Sequence, residues 1–239
     1  MSSSIKLNNI LFLDIETIPE EVSFEKLAPV KQELYAQKTK YQRKEDFTPE
    51  EFYERAGIWA EFGKIVCVSV GFFDHESKGL SFRLKSFYGT DEVKILEDFK
   101  ILLDVHFNQK SHVLCAHNGK EFDFPYLARR MIINKIELPE KLNLFGKKPW
   151  EVPHLDTMEM WKFGDYKHYT SLNLLTNILG IPSPKEDIDG SQVARVYYEE
   201  NDLIRIAKYC ENDTLAVAQV YLRFKNLKIL KEEQVTRVE

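Results

Sequence analysis

The amino-acid sequence predicts an α/β fold: a mixed five-stranded sheet flanked by helices. Three features predict it. An apolar run at residues 10–13 ends in the acids Asp14 and Glu16, as a buried strand does at its carboxyl end. Two β-rich runs, 65–73 and 80–88, are joined by the polar stretch Asp74 to Gly79, which suits a hairpin. Beyond residue 90, strand-like and helix-like segments alternate, and that alternation covers a sheet with helices.

The first strand, 10–16, and the hairpin make an antiparallel start. Between them lies a long insertion, about 19–62, rich in Glu, Lys and Gln, with expected helices at 25–39 and 48–60 that cover one edge of the core. Helical spacing of Val93, Leu96, Phe99 and Leu103 predicts a helix over 91–103. Residues 113–116 read as a short buried strand that stops at His117-Asn118-Gly119, with a helix at 122–134 beyond it. After a loop rich in Lys and Pro come a fifth strand at 154–160 and a helix at 171–179, ended by Gly180 and Pro182. Helices at 191–200 and 203–227 close the chain. With 44% apolar residues, the 239 residues are expected to form a single domain with one core, with no boundary at the insertion.

Composition narrows the function. The net charge of -5 argues against a protein that coats duplex backbone, which needs many Lys and Arg contacts to phosphate. An enzyme that grips one strand end through metal ions escapes that objection, because the ions carry the positive charge and their ligands are acids. Cys67, Cys115 and Cys210 lie far apart in apolar runs without a C-x-x-C pair, the pattern of reduced packing thiols. The polar start, Met1 to Asn9, and the interruption of the first apolar run by Asp14 predict a cytoplasmic protein with no membrane association.

Three short patterns carry candidate chemistry. Asp14 and Glu16 sit beside Leu13 and Ile15, where two carboxylates are costly unless a cation or donors compensate them. Asp74 and Glu76 repeat the spacing, but in the predicted hairpin connection, where acids are common for backbone reasons. The run Asn118-Gly119-Lys120-Glu121-Phe122-Asp123-Phe124-Pro125-Tyr126-Leu127 places Asp123 at a strand-to-helix junction. Read alone, Asp123 is equally an ordinary first-turn acid facing the helix dipole. Tyr209 and Asp213, four apart on an amphipathic helix, share a face. Alone, they read as a half-buried core residue and a solvated acid.

Together and in this order, the three patterns resemble the DEDD superfamily of 3′-to-5′ exonucleases, over about residues 10–224. Asp14 and Glu16 match its first motif, Asp123 its second, and Asp213 its third. Tyr209 marks the DEDDy branch, shared by stand-alone enzymes and the proofreading domains of family B DNA polymerases. The insertion at 19–62 is outside the resemblance.

The resemblance implies a ribonuclease H-like fold, two divalent ions (Mg²⁺ or Mn²⁺) and release of nucleotides from a 3′ end, single-stranded DNA before RNA. It implies that Asp14 bridges the two ions, that Glu16 and Asp213 complete one site and Asp123 the other, and that Tyr209 orients the attacking water. Thr17 would contact the terminal sugar, Asn118 the strand near the scissile phosphate, and Phe122 would stack on a base; Asp156 matches a further polar position. Arg129, Arg130, Lys147, Lys148, Lys162 and Lys167 are candidates for the strand's path. With no polymerase region in the chain, any polymerase or repair protein it assists would be a separate partner. Three rival readings are an exoribonuclease, a small-molecule phosphohydrolase with a closed pocket, and a catalytically silent binding module; retention of all four acids and the tyrosine argues against the last.

Overall fold

The computed structural model describes residues 5–44, 46–76, 79–165, 169–182 and 188–238. Two of the expectations above, Lys167 and the hairpin tip at 77–78, fall outside these residues. The strands are β1 (Ile10–Pro19), β2 (Gly63–Glu76), β3 (Gly79–Tyr88), β4 (Val113–Ala116), β5 (Leu155–Asp156) and β6 (Val235–Val238). The helices are α1 (Pro29–Arg43), α2 (Glu92–His106), α3 (Asp123–Ile133), α4 (Thr157–Lys162), α5 (Leu172–Ile178), α6 (Val193–Arg195) and α7 (Leu203–Phe224). The strands form one sheet in the order β5-β4-β1-β2-β3-β6, antiparallel at β1/β2 and β2/β3 and parallel elsewhere.

β1 is buried on both faces, which is why its sequence is a continuous apolar run and not an alternating one. Alternation survives in where the side chains go. Leu11, Leu13 and Ile15 join Leu96, Phe99 and Leu103 of α2 and Leu127 and Met131 of α3 in one layer. Ile10 and Phe12 join Val217, Ala218 and Tyr221 of α7 in the other. Asp14 and Glu16 continue this second series, so the strand's period of two aims both acids at α7.

Several elements differ from expectation. The sheet has six strands, because the short polar segment Val235–Val238 pairs with β3, with Phe82 opposite Val235. The expected strand at 154–160 lasts two residues; Asp156 then caps α4 by accepting from the N–H groups of Met158 (2.9 Å) and Glu159 (3.2 Å). Of the two expected insertion helices, the first is α1, while the second is a 3-10 segment, Tyr53–Ile58. There Gly57 lies so close to β1 that an added Cβ would sit 3.0 Å from the Ile18 carbonyl carbon. Around Tyr35, the rings of Phe24, Tyr53, Trp59 and Phe62 pack at 5.2–6.0 Å between centroids. The segment 191–200 is α6 followed by one π turn, Val196–Glu200. Among the described residues, no helix is long and apolar enough to cross a membrane.

Buried His154 joins β4 to the loop after α3: its Nδ1 accepts from the Leu114 N–H (3.2 Å) and its Nε2 donates to the Lys141 carbonyl (2.7 Å). Burial pushes its pKa down to about 4. The neutral ring therefore stabilises the fold fully above pH about 6.5, the unfolded value, and this contribution is lost as pH falls toward about 4. Comparing urea midpoints of the wild type and His154→Gln over this range should show the wild type losing roughly 3 kcal/mol more on acidification. Parallel pH curves would contradict the assignment.

Candidate active site

Parallel neighbours place their carboxyl ends together, and β1, β4 and β5 do so here. In α/β sheets that edge is where sites are built. β1 delivers Asp14 and Glu16 there; the loop after β4 delivers Asn118 and, at the start of α3, Asp123; β5 ends in Asp156. From the opposite face, α7 brings Tyr209, Cys210 and Asp213. A register shift between Glu16 and Thr17 breaks the β1/β2 ladder at the same point.

Asp14 and Glu16 meet here, one ligand atom of each and the Cys210 sulfur lying within 4.8 Å of one another, and Asp123 and Asp213 lie near enough to act on both charges. Burial pushes the pKa of Asp14 well above the usual carboxylate range, and Glu16, Asp213 and Asp123 push it further. Glu16, 7% exposed, is raised first by burial and then by Asp213, Cys67 and Asp123. Asp123, 3% exposed, is raised to about 7 by burial, with Asp156 and Asp213 adding to the shift, although the backbone N–H groups of Asp123 and Ile15 hydrogen-bond to it. Among the described residues, no lysine or arginine pairs with Asp14, Glu16 or Asp123. Buried carboxylates without a cationic partner are a strained arrangement, and a divalent cation held by them would relieve it. The donors are hard oxygens, which fits Mg²⁺ or Mn²⁺.

The junction after β4 is held tightly. Asn118 has φ +63°, and the adjacent Gly119 is required by space, since a Cβ there would lie 2.4 Å from the Ala116 Cβ. Asp156 fastens this loop: Oδ1 accepts from the Asn118 N–H (3.0 Å) and Oδ2 from the Lys120 N–H (3.1 Å), besides the two donors of α4. The Oδ1 of Asn118 is buried and has no partner among the described residues. Thr17 follows Glu16 in β1, half-buried, and Tyr126 donates to the Gly57 carbonyl at 2.8 Å. Phe122 is half-buried with its ring 5.3 Å from that of Tyr126. Tyr209 is half-buried against the cluster of Val66, Ile206 and Cys210.

Thus Asp14 and Glu16 are brought together at one edge, Asp123 and Asp213 act on their charges, and Tyr209 lies one turn before Asp213 on α7. The polar candidates divide: Asn118 presents an unused acceptor, whereas Asp156 is committed to four backbone donors. Arg130 is not on a strand path. It is 6% exposed, and its guanidinium spans Glu92 (2.8 and 2.5 Å) and the Ala60 carbonyl (2.8 Å). Arg129, Lys147 and Lys162 instead line a cavity of about 770 Å³ that reaches Asn118, and Lys148 lies over the exposed ring of Trp150.

The reading of the cysteines as packing thiols misses Cys210, whose Sγ lies 3.3 Å from the Asp14 carbonyl and 3.4 Å from its Oδ2. Cys67 packs with it in one buried cluster. The signal was present in the third motif, where Cys210 follows Tyr209, and in strand pairing, where Cys67 stands opposite Glu16.

The family model described as a predicted 3′-5′ exonuclease related to the exonuclease domain of PolB matches residues 58–237. The chain belongs to this family. Among the PolB-related exonucleases, then, its matched region holds Asp123, Tyr209 and Asp213, while Asp14 and Glu16 precede it. A family B DNA polymerase from the hyperthermophilic archaeon Pyrobaculum calidifontis shares the fold, with a TM-score of 0.52 at 17% identity. That match covers 89% of this chain and 24% of the polymerase, so the chain spans about a quarter of the longer protein.

Proposed function

We propose that this PolB-related protein is a divalent-metal-dependent 3′-to-5′ exonuclease of the DEDDy type, acting as one domain with an added helical segment at 19–62. It removes nucleoside monophosphates singly from the 3′ end of a strand, single-stranded DNA in preference to RNA. The observation that supports this reading is the close pair Asp14 and Glu16, whose charges Asp123 and Asp213 further oppose, with no lysine or arginine among the described residues paired with Asp14, Glu16 or Asp123.

In hydrolysis, a water oxygen attacks the terminal phosphodiester, the P–O3′ bond breaks, the 3′ oxygen takes a proton, and the nucleotide leaves with a 5′ phosphate. When bound, a pair of divalent ions supplies charge neutralisation on the phosphate and lowers the pKa of water. Asp14, central among the acids, would serve both ions, with Glu16 and Asp213 at one and Asp123 at the other. The buried, unpaired acceptor of Asn118 is available to a donor on the strand. Thr17, next to Glu16, would contact the terminal sugar, and the half-buried ring of Phe122 would offer a surface on which any base stacks. Arg129, Lys147 and Lys162 would carry the strand past the cavity.

Tyr209 orients the water and is a poor base at neutral pH, since an unperturbed phenol has a pKa near about 10. Tyr209→Phe is accordingly expected to slow turnover by roughly 10- to 100-fold without abolishing it, as read from single-turnover rates. An unchanged rate would remove Tyr209 from the mechanism.

A time course on 5′-labelled DNA and RNA of one sequence, with Mg²⁺, Mn²⁺ or chelator, tests the whole reading. A metal-dependent ladder shortening from the 3′ end supports it, and the faster strand identifies the sugar. Intact strands under every condition would refute it in favour of a silent binding module.

A further inference from the structure

The carboxylate cluster has a sulfur wall. Cys210 is fully buried on α7 with its thiol turned onto Asp14, and one ligand atom each of Asp14, Glu16 and Cys210 lies within 4.8 Å of the others. Four-coordinate Zn²⁺ holds oxygen at about 2.0–2.2 Å and sulfur at about 2.3 Å, so its ligand atoms stand roughly 3.3–3.7 Å apart. Mg²⁺ and Mn²⁺ gain nothing from a thiol, whereas Zn²⁺, Cd²⁺ and Co²⁺ bind sulfur strongly.

We propose that Asp14, Glu16 and Cys210 form a mixed oxygen and sulfur site for a thiophilic divalent cation, which occupies the position of the hard catalytic ion and silences the enzyme. The overlap rests on the exonuclease reading; the binding does not. On binding, the Cys210 S–H bond breaks, its proton leaves to solvent and a sulfur-metal bond forms, with no change of oxidation state. Cys67 packs with Cys210 in the same buried cluster and stands opposite Glu16 in the strand pairing. Cys115 is buried in the layer beneath α7, with Val217 and Ala218, and serves as the internal control.

The test is a titration of the full chain, freed of metal, with Cd²⁺ and with Co²⁺, following sulfur-to-metal charge-transfer absorption. One equivalent should produce the band in the wild type and in Cys115→Ser. In Cys210→Ser the band should be lost and Cd²⁺ affinity should fall about 100-fold or more. Should Cys210→Ser fail to fold, cadmium NMR of the wild type reads the ligand directly, a sulfur donor moving the resonance far from that of an all-oxygen site. A band that survives in folded Cys210→Ser, or an all-oxygen cadmium resonance, overturns the proposal. Mg²⁺-dependent cleavage without a sulfur band overturns this site and leaves the exonuclease standing. A sulfur band on a chain that shortens no strand does the reverse.

Discussion

Asp14→Asn should slow strand shortening by roughly 10³-fold or more and, in the same protein, raise the melting temperature measured without metal. The two effects share one cause. Asp14 stands where burial and three other carboxylates oppose its charge, and the Cys210 thiol is the hydrogen-bond donor that favours it. Replacing the carboxylate with an amide of the same shape removes that opposition and so relaxes the metal-free fold. It also removes the ligand common to both proposed ions. Asp213→Asn should behave alike in activity, because Asp213 presses on Asp14, Glu16 and Asp123 together. Single-turnover cleavage and thermal melts with and without Mn²⁺ give both readouts, and the wild type should gain more from Mn²⁺ than either variant. A folded Asp14→Asn protein that cleaves within about 10-fold of wild type would leave the acidic cluster without a catalytic role.

The second large effect is one of stability. Asp156→Ala is expected to cost about 4 kcal/mol, since the 3% exposed carboxylate accepts from the N–H groups of Asn118, Lys120, Met158 and Glu159. Hydrogen bonds to a charged group contribute more than neutral ones, and donors left unpaired in the interior are destabilising in their own right. Asp156→Asn should recover much of the loss, because three of the four donors converge on Oδ1, an atom an amide can reproduce. Chemical denaturation of the three proteins measures the series. If both variants keep wild-type stability while KM for the strand rises, Asp156 is a substrate contact and the positioning role is wrong.

The sequence was most informative where physical demands were sharpest. A strand buried on both faces has to be continuously apolar, so β1 and its terminal acids were legible from residues 10–16. The junction at Asn118-Gly119 was legible because left-handed backbone and lack of space restrict the residue types. Elsewhere the signals were ambiguous in period or depended on partners far along the chain. The segment 154–160 is short and mixes apolar with polar residues without a clear period, and the Asp156 carboxylate caps the backbone after two strand residues and turns it into α4. β6 has no apolar stripe and exists because β3 offers an edge. Arg130 looked like a surface cation, although it lies four residues after Tyr126 on the buried stripe of α3 and has Glu92 to neutralise it. The proximity of Cys210 to Asp14 spans 196 residues of sequence, and local pattern carries no such information.

The alternation along β1 makes the location of the acids a matter of parity. Even-numbered residues from Ile10 to Glu16 face α7, and odd-numbered ones from Leu11 to Ile15 face the layer of α2 and α3. Inserting one residue ahead of Asp14 would therefore do more than displace the acids by a strand step: it would exchange the two sets, sending carboxylates among Leu96, Phe99 and Leu127 and leucines toward Cys210. Two inserted residues would restore the facing. What the strand encodes is thus an odd-or-even choice, and the site withstands a change of length in this segment only in pairs.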